Sequence, residues 1–126
     1  MRIKRPVHES ELPWETWEEG TRQEIHGKAL CDVGGTAKVG VALVELPVNC
    51  DTRPAHYHTM EEEHLYVLSG SGTLHLGRET FELKPGCYVC FPPGQTAMHY
   101  LATSGTEPLR YLMIGERIEA DRAIHG

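Results

Sequence analysis

The sequence lacks a long apolar run and a concentration of basic residues, and both absences exclude classes of protein. No segment approaches the roughly 18 consecutive apolar residues of a membrane span, and no apolar stretch follows the basic N-terminus as a secretory signal would require. Lys and Arg number 12 against 18 Asp and Glu, for a net charge of −6, which disfavours a nucleic-acid partner. We therefore expect a cytoplasmic protein that binds neither membranes nor nucleic acid.

Cysteine is also scarce for a chain stabilised by disulfides. The four cysteines are Cys31, Cys50, Cys87 and Cys90, and 126 residues are enough for one domain with its own core. Cys87 and Cys90 form a C-x-x-C, a spacing known from redox and zinc sites. Here the stretch GCYVCFPPG predicts a β-strand, in which residues three apart face opposite sides. We interpret the pair as small strand residues.

Extended helical patterns are missing as well, because 13 glycines and 8 prolines interrupt the apolar runs. Many short strands with turn signals between them indicate an all-β sandwich or barrel. The predicted strands cover residues 38–46, 54–58, 64–70, 72–77, 80–86, 87–94, 98–105 and 107–115.

The strand at 72–77 is expected to be the hairpin partner of the strand at 64–70, through a two-residue loop at Gly70-Ser71. In that register Leu74 and Leu76 point inward and His75 points outward. A slip of one residue would reverse these directions.

The two ends of the chain differ from its middle. We expect a single domain over 1–126, with an N-terminal arm and first strands at 1–37, a barrel core at 38–115 and a polar tail at 116–126. Trp14 and Trp17 lie among acidic residues, which predicts an arm that packs through its aromatic side chains and can reach a second subunit. The tail is expected to be loose or weakly helical.

The stretch PAHYHTMEEEHLYVLSG at 54–70 contains most of the ligand-type residues. His56 and His58 are two apart on a predicted strand, so both imidazoles point to one face and Tyr57 points to the other. Two imidazoles on one face can bind a single metal ion.

Three consecutive glutamates follow these histidines. Glu63 opens the next strand and shares a face with apolar Leu65, so it is expected to look inward. His64 then faces outward, like the tyrosine two residues later. Glu61 and Glu62 fall in the turn, where we expect water to hydrate them.

A further imidazole is available at His99, which follows the rigid turn Pro92-Pro93-Gly94. Three imidazoles and one carboxylate suit a divalent ion of Zn, Mn, Fe, Ni or Cu and leave open positions for water or substrate. The other histidines outside a motif, His8, His26 and His125, are interpreted as surface residues, as are Arg53 and Arg110.

These spacings resemble the cupin superfamily. Its first motif, G-x5-H-x-H-x3–4-E-x6-G, is matched from His56 through His58 and Glu63 to Gly70, with Cys50 in place of the leading glycine. Its second motif, G-x5-P-x-G-x2-H-x3-N, is matched less completely. Gly86, Pro92 and Gly94 fit, but four residues separate Gly94 from His99, and Thr103 stands where the motif has Asn.

The resemblance implies an all-β double-stranded β-helix, the cupin or jelly-roll barrel, which is usually a homodimer. It implies a divalent metal held by His56, His58, Glu63 and His99. The chain is similar to small bacterial cupins that are grouped with sugar-phosphate isomerases.

Three functions remain open at this point. The first is a metal-dependent enzyme acting on a small oxygen-rich molecule, by isomerase or lyase chemistry with a redox-silent metal or as a dioxygenase. The second is a module that binds a small ligand through the metal without turnover. The third is a structural cupin without metal. No separate catalytic base is evident in the sequence, and the tyrosines are interpreted as wall or interface residues.

Overall fold

The computed structural model describes residues 5–19, 23–35 and 38–126, and the regular secondary structure of these residues is almost entirely β-strand. The strands are β1 (Glu15–Glu19), β2 (Gln23–Ala29), β3 (Val39–Leu46), β4 (His56–His58), β5 (Glu63–Ser69), β6 (Gly72–Leu76), β7 (Glu79–Leu83), β8 (Tyr88–Phe91), β9 (His99–Ala102), β10 (Leu109–Glu116) and β11 (Ala123–His125). A 3₁₀ turn at Glu9–Glu11 and a short helix α1 at Cys31–Gly34 accompany them. Neither described helix has the length and apolar character to cross a membrane.

The strands form two antiparallel sheets. The first sheet has the order β1-β2-β3-β10-β5-β8 and the second has the order β11-β4-β9-β6-β7. Their facing sides bury one apolar cluster, to which the first sheet contributes Val44, Leu65 and Tyr111 and the second contributes Leu74 and Leu101. This arrangement confirms the predicted all-β jelly roll.

The alternation of side chains along β5 explains why this strand sits between core and solvent. Leu65 and Val67 are completely buried, whereas Tyr66 is 44% and Leu68 42% exposed. Because successive side chains of a strand point to opposite faces, Glu63 shares the inner side with Leu65, and His64 shares the outer side with Tyr66. The outward direction predicted for Tyr66 is confirmed.

The predicted hairpin between the strands at 64–70 and 72–77 is wrong. β5 pairs with β10 and β8 in the first sheet, whereas β6 pairs with β7 and β9 in the second. The chain changes sheets at Gly70, which has φ +84° and packs against the backbone of Pro108. The outward direction of His75 is nevertheless confirmed, because Leu74 is buried and the His75 ring stacks on Tyr100 at 4.3 Å.

The prediction of a loose or weakly helical tail is also wrong. β11 adds to the edge of the second sheet by pairing with β4, with Ile124 opposite Tyr57. A three-residue strand is too short for the alternation of its side chains to be recognised in the sequence.

The N-terminal residues described by the structure continue the first sheet through β1 and β2. Trp17 packs against the buried cluster, and a side chain at Gly27 would overlap its indole ring. Trp14 lies at the surface beside the ammonium of Lys28, 4.5 Å from the ring centre. Trp17 of this segment thus packs within its own chain, and contact of the segment with a second subunit stays a prediction.

Candidate metal centre

Pairing between β4 and β9 brings two of the predicted ligands side by side. His56 and His99 are direct partners across these strands, and their ring centres are 4.6 Å apart. His58 lies two residues along β4, with its ring centre 5.2 Å from that of His56. The additional residues before His99 are accommodated in the turn that precedes β9, so that its side chain still reaches the same face.

Glu63 approaches these imidazoles from the opposite sheet. Its Oε1 atom lies 3.3 Å from Nε2 of His58 and 3.9 Å from Nε2 of His99. His56, His58 and Glu63 can each present one ligand atom within 4.8 Å of the others. The four residues singled out in the sequence therefore meet in one place, while metal binding by them stays a prediction.

The cluster faces a cavity of about 210 Å³ between the two sheets. Its wall is largely apolar, and sequence reasoning identified few of its members. Beyond the four ligand-type residues, the cavity is lined by Trp17, Ile25, Ala42, Val44, Thr52, Leu65, Phe91, Leu101, Tyr111 and Met113. Within the described part of the chain, no lysine or arginine contributes to this lining.

Burial keeps two of the imidazoles uncharged. Burial, together with the neighbouring His56 and His58, lowers the pKa of His99 to about 3. Burial also lowers the pKa of His56, with a further contribution from His58. The His99 ring is stacked on Phe91, with ring centres 3.7 Å apart. Neutral imidazoles have the free lone pair that a metal ligand needs.

His58 has the opposite character, because carboxylates lie on both sides of its ring. Burial alone would lower its pKa, but the hydrogen bond with Asp121 and the charges of Glu63, Asp121 and Glu61 together raise the pKa of His58. Its Nδ1 atom is 2.7 Å from Oδ2 of Asp121. That bond leaves Nε2 directed at Glu63.

Asp121 is a residue of the site that the sequence did not reveal. Its other oxygen accepts hydrogen bonds from the backbone N–H groups of Met60 and Glu61, at 2.8 and 2.9 Å. It thereby fixes both the His58 ring and the turn after β4. No motif marks this aspartate, and its position in a polar tail suggested a solvent-exposed residue.

The turn glutamates were predicted to be hydrated, and this is wrong for Glu61. Its carboxylate accepts a hydrogen bond from the Ile118 backbone N–H at 2.8 Å and lies 3.8 Å from Nδ1 of His58. The tail that covers it was expected to be loose, which is why the contact was missed. Glu62 is exposed as predicted.

His125 is exposed as predicted, yet its ring centre is 5.7 Å from that of His56, because β11 pairs with β4. Thr103, at the motif position of Asn, accepts a hydrogen bond from the Cys50 backbone N–H at 3.0 Å. The described cysteines, including the C-x-x-C pair, are all unbridged.

Similar proteins place this geometry in context. A Methanocaldococcus jannaschii protein that is itself uncharacterized is 35% identical over 75 residues, which is 60% of this chain and 58% of that protein. A solved structure from Acidithiobacillus ferrooxidans, provisionally named a sugar phosphate isomerase, is 34% identical with a TM-score of 0.77 and covers 82% of this chain and 65% of its own. This chain thus spans less than two thirds of the length of either relative.

A third similar protein is the polyketide cyclase RemF of Streptomyces resistomycificus. It is 25% identical, with a TM-score of 0.82, over 98% of this chain and 85% of its own. The family model of the cupin domain matches residues 42–115, which include all four clustered residues. Fold, motif and family model agree that this chain belongs to the cupin family.

Proposed function

We propose that this cupin is a metal-dependent enzyme for a small oxygen-rich metabolite, with isomerase or lyase chemistry and sugar phosphates as the first substrates to test. His56, His58, Glu63 and His99 would hold one divalent cation. The convergence of three imidazoles and one carboxylate on a cavity is the observation that supports this most directly.

The donor set suits such an ion on chemical grounds. His56 and His99 are kept neutral by burial, and His58 presents Nε2 because Asp121 holds Nδ1. One negative charge from Glu63 partly neutralises a divalent cation and leaves the centre positively charged. A bound metal would supply Lewis acidity, polarising a substrate carbonyl or stabilising an enediolate.

Few side chains of the cavity wall can donate or accept a proton. Apart from the four ligand-type residues, Tyr111 is the single ionisable side chain among the described residues that line the cavity. A tyrosine next to the substrate can act as general acid or base. We therefore expect Tyr111→Phe to lower kcat by about 10²-fold while metal content stays unchanged.

The largely apolar wall of the cavity also supports a second candidate function. Because no described lysine or arginine lines the cavity, a phosphate group would have no cationic partner inside it except the metal. An uncharged, partly apolar substrate, such as the polyketide named for the Streptomyces protein, would also match the largely apolar lining. The second candidate includes a dioxygenase that acts on such a molecule and a module that binds it without turnover.

One experiment separates these functions. The full chain is loaded in turn with Mn²⁺, Fe²⁺, Co²⁺, Ni²⁺ and Zn²⁺ and incubated in D₂O with aldose and ketose phosphates, then with uncharged dicarbonyls and phenols. Proton NMR detects isomerisation and deuterium exchange at carbon, and an oxygen electrode detects O₂ uptake. Turnover of a sugar phosphate, abolished in His58→Ala, supports the first candidate.

Turnover confined to uncharged substrates would support the second candidate, and O₂ uptake would assign it to oxygenase chemistry. Binding of several ligands without turnover, seen as shifts in melting temperature that need the metal, would support a binding module. Failure of the wild-type chain to retain any of these metals would contradict both candidates.

A further inference from the structure

A second group of ligand-type side chains lies on the outer side of β5 and β8, away from the cavity. Glu62 and His64 flank the inward-facing Glu63, and strand alternation sends their side chains outward. His64 is the direct cross-strand partner of Cys90. Directly paired residues on adjacent strands have Cβ atoms only about 4.5–5.5 Å apart, so the imidazole and the thiol are held together by the register.

The distances within this group are short. Oε1 of Glu62 lies 2.6 Å from Nε2 of His64, and the Tyr88 hydroxyl lies 2.7 Å from Nδ1. Glu62, His64 and Cys90 can each offer one ligand atom within 4.8 Å of the others. Each nitrogen of the His64 ring thus already has a defined neighbour, which fixes the orientation of the ring.

The donor types distinguish this group from the centre in the cavity. It combines a thiol, an imidazole and a carboxylate, which is a set that favours borderline cations such as Zn²⁺ over Mg²⁺ or Mn²⁺. We propose that Glu62, His64 and Cys90 form a second, outer metal site that takes Zn²⁺, with water completing the coordination.

The surroundings support this role for the three side chains. The Tyr88 hydroxyl at Nδ1 would leave Nε2 for the metal, in the manner of a partner that orients a ligating histidine. The Glu62 side chain is 48% and the His64 side chain 33% exposed, so both can open slightly to admit an ion. Zn²⁺ binding would release the thiol proton of Cys90 to solvent and break the contact between Glu62 and His64.

Cobalt provides the test, because it replaces zinc and reports thiolate ligands by charge-transfer absorption in the near ultraviolet. The inner cluster contains nitrogen and oxygen donors only and does not produce this band. Co²⁺ is titrated into the metal-free full chain under reducing conditions. We expect a thiolate band that saturates once one Co²⁺ per chain occupies the outer site, within two added equivalents, and that disappears when Zn²⁺ is added.

The variants assign the band to its ligands. Cys90→Ser should abolish the band, and His64→Ala should weaken Co²⁺ binding at this site at least tenfold. The His56→Ala/His99→Ala double variant should keep the band, as should Cys87→Ser, the matched cysteine three residues away. Circular dichroism checks that each variant is folded.

Metal stoichiometry by native mass spectrometry gives an independent readout. Two Zn²⁺ per wild-type chain should fall to one in Cys90→Ser and to one in the double variant. Absence of a thiolate band from the wild-type chain, or its persistence in Cys90→Ser, would overturn the proposal. Loss of the band in Cys87→Ser in place of Cys90→Ser would overturn it equally.

Discussion

His58 differs from the other clustered histidines because it lies between carboxylates. The raised pKa of its ring means that in the metal-free protein it competes for a proton that an incoming cation must displace from Nε2. The bond from Nδ1 to Asp121 does not involve Nε2 and would survive that exchange. Asp121 would therefore hold the ring in the same orientation before and after a metal binds.

Replacing Asp121 by asparagine should weaken metal binding by about 10–100-fold, the range found for partners that orient ligating histidines. The amide keeps an oxygen for the backbone N–H groups of Met60 and Glu61 but removes the charge beside His58. Competition with a chromophoric chelator measures the affinity. Glu119→Gln, an exposed neighbour, is the control and should change nothing. Equal affinities in the two variants would contradict the role of Asp121.

The buried His99 should make the metal-free protein less stable in acid. Its pKa is about 3 when folded and about 6.5 when unfolded, so the unfolded chain takes up the proton first as the pH falls. The stabilising contribution of neutral His99 is fully present above the pKa of the unfolded state and is lost progressively between about pH 6.5 and 3. Between pH 7 and pH 5 the free energy of unfolding falls by about 2 kcal/mol for this reason.

Urea unfolding in the presence of a chelator measures this loss. His99→Gln has no such titration, so its free energy of unfolding should fall less over the same pH interval. His58 works in the opposite direction, because a raised pKa favours the folded state as the pH falls, and it is present in both proteins. Identical pH dependence in the two proteins would contradict a buried, neutral His99.

At the scale of elements, the turn glycines decide where the chain changes sheets. A Cβ at Gly70 would overlap the carbonyl oxygen of Pro108 at a positive φ, whereas a Cβ at Gly86, also at positive φ, would have no atom within 4 Å. The two positions have similar positive φ angles and differ in the space around them.

Gly86→Ala should therefore cost about 1–2 kcal/mol, the penalty of a left-handed L-residue. Gly70→Ala should cost clearly more, because the backbone at Gly70 and Pro108, beside the paired strands β5 and β10, must also move apart. Thermal and urea unfolding of the two variants compare them directly. A smaller loss in Gly70→Ala than in Gly86→Ala would mean that the crossover is not tightly packed.

The sequence predicts elements better than it predicts their pairing. Alternation in β3 and β5 locates both strands, and the two-residue spacing of His56 and His58 gives their common face. The sequence does not distinguish a tight hairpin at Gly70 from a crossover to the other sheet, since both use the same turn residues. Asp121 was missed because it reaches His58 over a separation of 63 residues, for which no local pattern exists.

At the scale of the molecule, the predicted inner centre would join the two sheets. β4 and β9 of the second sheet provide the imidazoles, and β5 of the first sheet provides Glu63. A cation bound only by the folded state stabilises it in proportion to its occupancy. The free energy of cation binding at the inner centre would thus add to the stability of the packing between the two sheets.

Mn²⁺, which favours oxygen and nitrogen over thiolate donors, should therefore raise the melting temperature. At 100 times its dissociation constant the gain is about 2.7 kcal/mol, which for a chain of this size corresponds to a shift of about 10 °C. Differential scanning calorimetry with Mn²⁺ or with EDTA measures the shift. The His56→Ala/His99→Ala variant should melt at one temperature in both, and a shift of wild-type size in that variant would place the stabilising ion elsewhere.

The bond between Asp121 and His58 also sets an order of events during biosynthesis. A ribosome adding roughly 5–20 residues per second needs several seconds to proceed from His58 to Asp121, 63 residues later. Throughout that interval the nascent chain has at most the three imidazoles of the inner cluster, and the bond from Asp121 that orients His58 has not yet formed. Selection between competing cations by the predicted inner centre would therefore wait until the polypeptide has folded as a whole.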